Sequence, residues 1–224
     1  KTGARVVWSR RSGERLAAGE PFLRAEGAAA ALHMAWKVSL NLCDHLSGVA
    51  TKTRAIVDAA HSGNPACEVL TTRKSMPGVK DLLTKAVTCG GAFPHRLGAS
   101  ETVLVFDHHI TFMGGFEAFL EALPALRCRC VEKKLFVEAG PDEARRLAEA
   151  GVDGIQLDTL PVDDLAALVP ELRAVDPHLT LIAAGGINLQ NAAAYAATGV
   201  DGLATTAPFT AKPIDMSVRM KRAE

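Results

Sequence analysis

Residues 67–115, CEVLTTRKSMPGVKDLLTKAVTCGGAFPHRLGASETVLVFDHHITFMGG, hold the pattern that decides the fold. An apolar-threonine run at 68–72 leads to a helix-sized segment at 80–88 and then to a second apolar run at 103–107. Arg73 and Lys74 stand just past the first run. Pro77-Gly78 and Gly90-Gly91 break the chain on either side of the helix, and the second pair leads into His95-Arg96. Cations past a strand end, beside glycine backbone, suit the capture of a small anionic ligand. Any one of these cations alone would read as a solvated loop charge.

The same rhythm continues outward. Apolar runs at 134–138, 153–158, 179–184 and 201–206 alternate with helical segments at 116–127, 141–150, 162–175 and 189–198. Near-continuously apolar strands, each followed by a helix, imply a parallel sheet covered on both faces. The helix at 141–150 is the best marked, with Pro141 at its first position, Asp142 and Glu143 on its N-terminal dipole, and Gly151 as its stop. Six strands are visible, enough for a doubly wound sheet or a barrel short of eight.

The strand ends choose between these. Arg73, Asp107 with His108-His109, Glu138, Asp158, Gly185-Gly186 and Thr205-Thr206 all fall at the C-terminal edges of the runs. A barrel gathers its strand ends at one mouth. An open sheet concentrates its site at one switch point, usually with a glycine fingerprint after the first strand, and no GxGxxG follows any run here. The expectation is an open, incomplete parallel α/β barrel. Its rim carries a cationic half (Arg73, Lys74, His95, Arg96) and an acidic half (Glu138, Asp158). Glycine and hydroxyl turns at Ala184-Gly185-Gly186 and Thr205-Thr206-Ala207 complete it. Cations would hold carboxylates or a pyrophosphate, glycine turns would admit a phosphate, and acids would meet sugar hydroxyls, a magnesium–pyrophosphate or developing positive charge. A substrate with both phosphates and sugar hydroxyls fits this division.

Upstream, residues 4–26 read as extended segments around Ser12-Gly13, too short for an independent domain and resembling the tail of a unit whose first part is absent. A helical stretch starts at Gly27 with Leu32, Trp36, Leu40 and Cys43 on one face and Lys37 beside it. A second helical stretch, 49–60, is expected after a turn at Ser47-Gly48.

Composition narrows the function. Among 224 residues, 25 basic and 25 acidic side chains balance, so bulk charge argues for neither nucleic acid nor a membrane. No apolar run approaches the roughly 20 residues of a bilayer span, and the first residues lack a secretory apolar core. Cys43, Cys67, Cys89, Cys128 and Cys130 are odd in number and lack CxxC spacing, which points to reduced thiols and a cytoplasmic location. Cys128-Arg129-Cys130 falls short of a metal site. His108 and His109 would project to opposite sides of a strand end, which argues against joint metal ligation.

Several motifs carry a family resemblance. TTRKSMPG (71–78), CGGAFPHRLG (89–98) and SETVLVFDHH (100–109) resemble the core of quinolinate phosphoribosyltransferase, the carboxylating nicotinate-nucleotide pyrophosphorylase. HLSGVATKT (45–53), FVEAG (136–140), IQLDTLP (155–161), AAGGINLQN (183–191) and TGVDGL (198–203) extend the match in order over nearly the whole chain. Variant details are most similar to the ModD branch, associated with molybdenum transport. The stretch 103–115 also resembles the phosphoribosyl-diphosphate loop of the commoner phosphoribosyltransferase fold, but that loop needs paired acids and has only Asp107 here.

The resemblance implies an N-terminal α/β sandwich, here residues 1–46 rejoined by 213–224, and a type II phosphoribosyltransferase barrel at 47–212. It implies a cytoplasmic homodimer with shared sites, in which quinolinate and phosphoribosyl diphosphate give the nucleotide, pyrophosphate and carbon dioxide. Arg73, Lys74, His95 and Arg96 would hold the acid and the diphosphate. Glu138 and Asp158, with Lys74, would carry the chemistry, and the two carboxylates would face the ribose and a Mg2+ ion brought by the diphosphate. Ala184, Gly185, Gly186, Thr205, Thr206 and Ala207 would hold the 5′-phosphate. Lys37 would reach the neighbouring subunit's site.

The departures are specific. Trp36-Lys37 replace a Glu-Arg pair, so the charge remains while the bidentate fork is lost. Phe106 replaces a lysine, Pro94 an asparagine and Ala184 a serine. The expected substrate is therefore a quinolinate-like or less anionic heteroaromatic acid or base. The rival expectation is a ModD-type protein repurposed for molybdate or molybdenum cofactor metabolism, binding rather than catalysing.

Overall fold

The computed structural model describes residues 3–98 and 101–222. An antiparallel pair comes first, β1 (Arg5–Ser9) with β2 (Leu23–Glu26). Trp8, Val6 and Leu23 on it are exposed, so little apolar burial supports it.

Next comes α1 (Ala29–Gly63), one continuous helix where the sequence suggested two stretches. Gly48 is the reason for the difference. It is buried, and a side chain there would run into the Lys212 carbonyl, so its lack of a Cβ admits a crossing backbone instead of making a turn. The C-terminal segment returns along this helix, and the Ile214 N–H donates to the Asp44 carbonyl (3.0 Å). Buried residues cluster in the second half of α1, at Val49, Thr53, Ile56, Val57 and Ala60.

The remaining elements alternate. They are β3 (Glu68–Thr71), α2 (Lys80–Cys89), β4 (Phe93–Pro94), β5 (Val103–Val105), α3 (Asp107–Phe112), α4 (Phe116–Arg129), β6 (Leu135–Ala139), α5 (Pro141–Glu149), β7 (Gly154–Asp158), α6 (Val162–Val175), β8 (Thr180–Ala184), α7 (Ala192–Ala197) and β9 (Gly202–Thr205), with a 3-10 turn at Ala207–Thr210. The barrel sheet has seven strands rather than six, all parallel, in the order β4-β3-β9-β8-β7-β6-β5. The last strand closes onto β3, while β4 and β5 remain edges, giving a curled and open α/β barrel. The added strand is β4, where an edge position tolerates Pro94. The final helix is shorter than expected because the Asn188 and Asn191 side chains staple residues 186–191 into a turn.

One recurring device starts the central strands. In each of two GVDG segments, 151–154 and 199–202, an Asp accepts an N–H at the start of the neighbouring strand: Asp153 from Leu135, the first residue of β6 (2.7 Å), and Asp201 from Leu181, the second of β8 (2.6 Å). The glycine that ends each segment faces the barrel interior. A Cβ on Gly154 would collide with the Phe136 ring, and one on Gly202 would press on Leu70. The convex face buries Val69, Val137, Ile155, Leu157, Leu181 and Leu203 under the helices. The concave face carries a smaller apolar plug, Leu104, Phe136, Ile182, Ala184 and Ala204 with Leu70 and Phe106, which forms the floor of the mouth.

Candidate active site

Strand parity decides which side chains enter the mouth, because alternate residues face opposite sides of a sheet. Glu138 and Gln156 are register partners, as are Asp158 and Ala184, and Ala184 and Ala204. All lie on the concave face with the apolar plug. Thr71 and Thr205 face the other way. The Thr205 hydroxyl is buried, donates to the Ile187 carbonyl (2.6 Å) and accepts the Ala207 N–H (3.0 Å). Thr205 thus shapes the turn, and Thr206 is the hydroxyl one position nearer the rim.

The acidic half is a coupled pair. Burial and the nearby Asp158 charge raise the Glu138 pKa, while a hydrogen bond from Gln156 and the charges of Lys74 and His108 oppose that shift. The Gln156 Nε2 donates to Glu138 Oε2 at 2.5 Å. Thr159 holds the other acid, its hydroxyl donating to Asp158 Oδ2 at 2.8 Å. Thr159 has φ of 56°, a left-handed conformation unfavourable for a β-branched residue. Its N–H donates to the Ala184 carbonyl (2.8 Å), and Gly185 lies so close that a Cβ there would meet Thr159 Oγ1 at 2.5 Å. The Asp158 loop and the glycine turn are built against each other. Gly185 and Gly186 both have positive φ, and the space around a Gly186 Cβ is open.

The cationic half stands on β3 and β4. Burial, then Arg96, then Arg73, hold the His95 imidazole below its usual pKa, and Arg73 also acts on Arg96. Beside them a cavity of about 210 Å3 is lined by Thr72, Arg73, Ser75, Lys80, Arg96 and Phe209, among others. The Lys80 ammonium donates to the Leu97 carbonyl, tying α2 to the segment after the cradle.

Phe106 joins the two halves across the open edge. The Arg96 guanidinium lies 5.8 Å from its ring centroid, and His108 stacks on it at 5.5 Å with an interplanar angle of 10°. The Phe106 N–H donates to His109 Nδ1 (2.9 Å), which caps α3. His108 and His109 therefore sit on a helix, with ring centroids 4.0 Å apart, and do not project to opposite sides of a strand. Even so, among the described residues no cluster of three or more His, Cys, Asp or Glu could hold a metal ion.

The structure thus brings together Arg73, Lys74, His95, Arg96, Phe106, Glu138 and Asp158 at one rim, with Ala184, Gly185, Gly186, Thr206 and Ala207 on the neighbouring strand ends. Lys37 is exposed on α1, its Nζ 5.4 Å from the Trp36 ring centroid. Sequence reasoning missed Gln156 and Lys80. A polar residue inside a buried apolar strand was the available signal for Gln156.

Comparison with known proteins agrees with this architecture. Residues 49–219 match the quinolinate phosphoribosyl transferase C-terminal domain, and residues 2–47 match its N-terminal domain. The chain is 43% identical over 192 residues to ModD of Rhodobacter capsulatus, covering 85% of this chain and 73% of that protein. It is 39% identical over 207 residues to the carboxylating nicotinate-nucleotide pyrophosphorylase of Mycobacterium leprae, covering 92% and 71%. The nicotinate-nucleotide pyrophosphorylase structure from Francisella tularensis superposes with a TM-score of 0.86 at 28% identity, covering 96% of this chain and 75% of that one. With both family domains in order and the barrel rim assembled, the chain belongs to the quinolinate phosphoribosyl transferase family, pentosyltransferase enzymes of the nicotinate-nucleotide pyrophosphorylase kind.

Proposed function

We propose that this chain transfers the phosphoribosyl group of phosphoribosyl diphosphate to a heteroaromatic acid or base less anionic than quinolinate, releasing pyrophosphate. The observation that carries the choice of substrate is Phe106. It puts an apolar wall between Arg96 and His108, at the position where the family resemblance expects a cation. A dianionic ring gains less from such a wall than a neutral or singly charged ring that can stack against it.

The chemistry follows from charge. As the ribose C1–oxygen bond breaks, positive charge develops on the sugar and negative charge on the departing diphosphate. Glu138 and Asp158 face the first, while Arg73, Lys74, His95 and Arg96 hold the second. A ring nitrogen forms the new bond to C1 as pyrophosphate leaves with the bonding electrons; where the ring carries a carboxylate beside that nitrogen, its C–C bond would break to release carbon dioxide and the ring carbon would take a proton from solvent. The Gly185-Gly186 and Thr206-Ala207 turns hold the 5′-phosphate against the sheet end. Glu138 and Asp158 would hold a Mg2+ ion brought by the diphosphate, which would offset the negative charge growing on the leaving group. Lys37 serves the partner subunit's site in a homodimer.

Phe106 and Lys37 also favour a second reading, a ModD-type protein that binds molybdate or a molybdenum cofactor intermediate without transfer chemistry. The Glu138–Asp158 pair favours transfer, since a bare oxyanion site has little use for two acids. Turnover with phosphoribosyl diphosphate is measured against quinolinate, nicotinate and uncharged aromatic bases, beside calorimetric titration with magnesium phosphoribosyl diphosphate and with molybdate. Transfer to a weakly charged ring, with Phe106→Lys shifting preference toward quinolinate, is the expected result. Efficient quinolinate turnover unaltered by Phe106→Lys overturns the substrate choice. Molybdate binding without phosphoribosyl diphosphate binding overturns the transferase reading.

A further inference from the structure

Four polar side chains are buried among the described residues: Thr53, Thr71, Gln156 and Thr205. The three threonines spend their hydroxyls on carbonyls of Val49, Phe93 and Ile187. Gln156 is different. It is 6% exposed, its Nε2 is given to Glu138, and its Oε1 is a buried side-chain oxygen with no hydrogen-bond partner.

An unsatisfied buried acceptor destabilises a fold, because its lost hydration is not replaced. The surroundings do not ask for an amide. Gln156 pairs in register with Ile182 on one side and Glu138 on the other, above a floor of Phe136, Ile182 and Leu104. An unbranched apolar side chain of similar length would fill this space without the orphaned oxygen. What it would lose is the N–H donated to Glu138. That carboxylate is only half-buried, so without Gln156 its hydration survives while its orientation does not.

We propose that Gln156 is a positioning residue, whose buried amide fixes the Glu138 carboxylate in the barrel mouth for the ribose of the bound phosphoribosyl group, at a cost in fold stability. The proposal rests on the phosphoribosyl reading of the site. It sets stability against binding, as happens where a local rule is broken for a site. A purely structural glutamine would make both worse together when removed.

The test is Gln156→Met in the full chain, with thermal unfolding and calorimetric titration of magnesium phosphoribosyl diphosphate. Removing the orphaned acceptor is expected to raise Tm by about 2–4 °C. Loss of the charge-assisted donor is expected to weaken affinity about tenfold. In a Glu138→Ala background the same substitution should cause no further weakening, because Gln156 acts through that carboxylate. A lower Tm in Gln156→Met, an unchanged affinity, or equal weakening with and without Glu138 would each overturn the proposal. No binding by the unsubstituted chain would instead overturn the phosphoribosyl reading itself, so the two failures are distinguishable.

Discussion

Burial and the charges of Arg96 and Arg73 keep the His95 imidazole neutral to lower pH than a free histidine. To an anion bound at neutral pH the cradle would therefore offer the charges of Arg73, Lys74 and Arg96 and an uncharged His95 ring. Two consequences follow from the sign of this shift. The folded chain binds fewer protons at His95 than the unfolded chain, so its contribution to stability is present above about pH 6.5 and is lost as pH falls below that value. His95→Asn should flatten that part of the stability–pH curve, read by chemical denaturation between pH 5 and 8. A diphosphate placed beside the ring would oppose the shift and favour the charged form, so its binding should take up protons at pH below about 6.5. Calorimetry in buffers of different ionisation enthalpy measures that uptake, and none in His95→Asn is the expected control. Proton release by the unsubstituted chain would contradict this account.

At the scale of elements, the two GVDG segments use one device with different reinforcement. Both aspartates take a strand N–H, but the two carboxylate oxygens of Asp201 also accept from Arg173 Nη2, at 2.7 and 2.8 Å. Asp201→Ala should therefore cost about 1–2 kcal/mol more than Asp153→Ala, since it also deprives Arg173 Nη2 of its charged partner and leaves only the bond from Nη1 to the Leu179 carbonyl. Equal midpoint shifts in urea would show the arginine pair to be worth nothing. The repeat is visible in the sequence, and so were the strands it begins, because strands buried on both faces leave a continuous apolar signal. Other elements were less legible. Phe93-Pro94 is too short to carry a periodicity, and its pairing with β3 depends on chain closure from a distance. Gly48 has the same letter in a turn as in a helix crossed by backbone, and only the returning 212–213 segment distinguishes them. At the site, residue types and strand ends were readable but parity was not: Thr205 and Thr206 look alike until the register sends the first hydroxyl into the core. Gln156 was absorbed into an apolar run although it was the polar exception within it.

At the scale of the whole molecule, one expected participant, Lys37, is exposed on α1. The first half of α1 exposes Met34, Val38 and Leu42 at four-residue spacing, 70%, 64% and 44% accessible, with Lys37 beside them. An apolar stripe of this kind on a helix suits burial against another surface, and a two-fold pairing would give each subunit the same contact in exchange. The cationic cradle, meanwhile, has Phe106 where a further positive charge would complete an acid pocket. The proposed homodimer, in which each Lys37 would reach the other subunit's mouth, would join these two features. Lys37→Ala and Glu138→Ala chains should each lose transfer activity when prepared alone. Mixed under conditions that exchange subunits, they should regain part of it, because a mixed dimer assembles one mouth with both the partner's Lys37 and an intact Glu138. Sedimentation should show a dimer throughout. Activity that stays absent in a verified mixed dimer would mean that Lys37 and Glu138 serve the same subunit's mouth, and full activity of Lys37→Ala prepared alone would place Lys37 outside the site and leave Arg73, Lys74 and Arg96 as the full cationic complement.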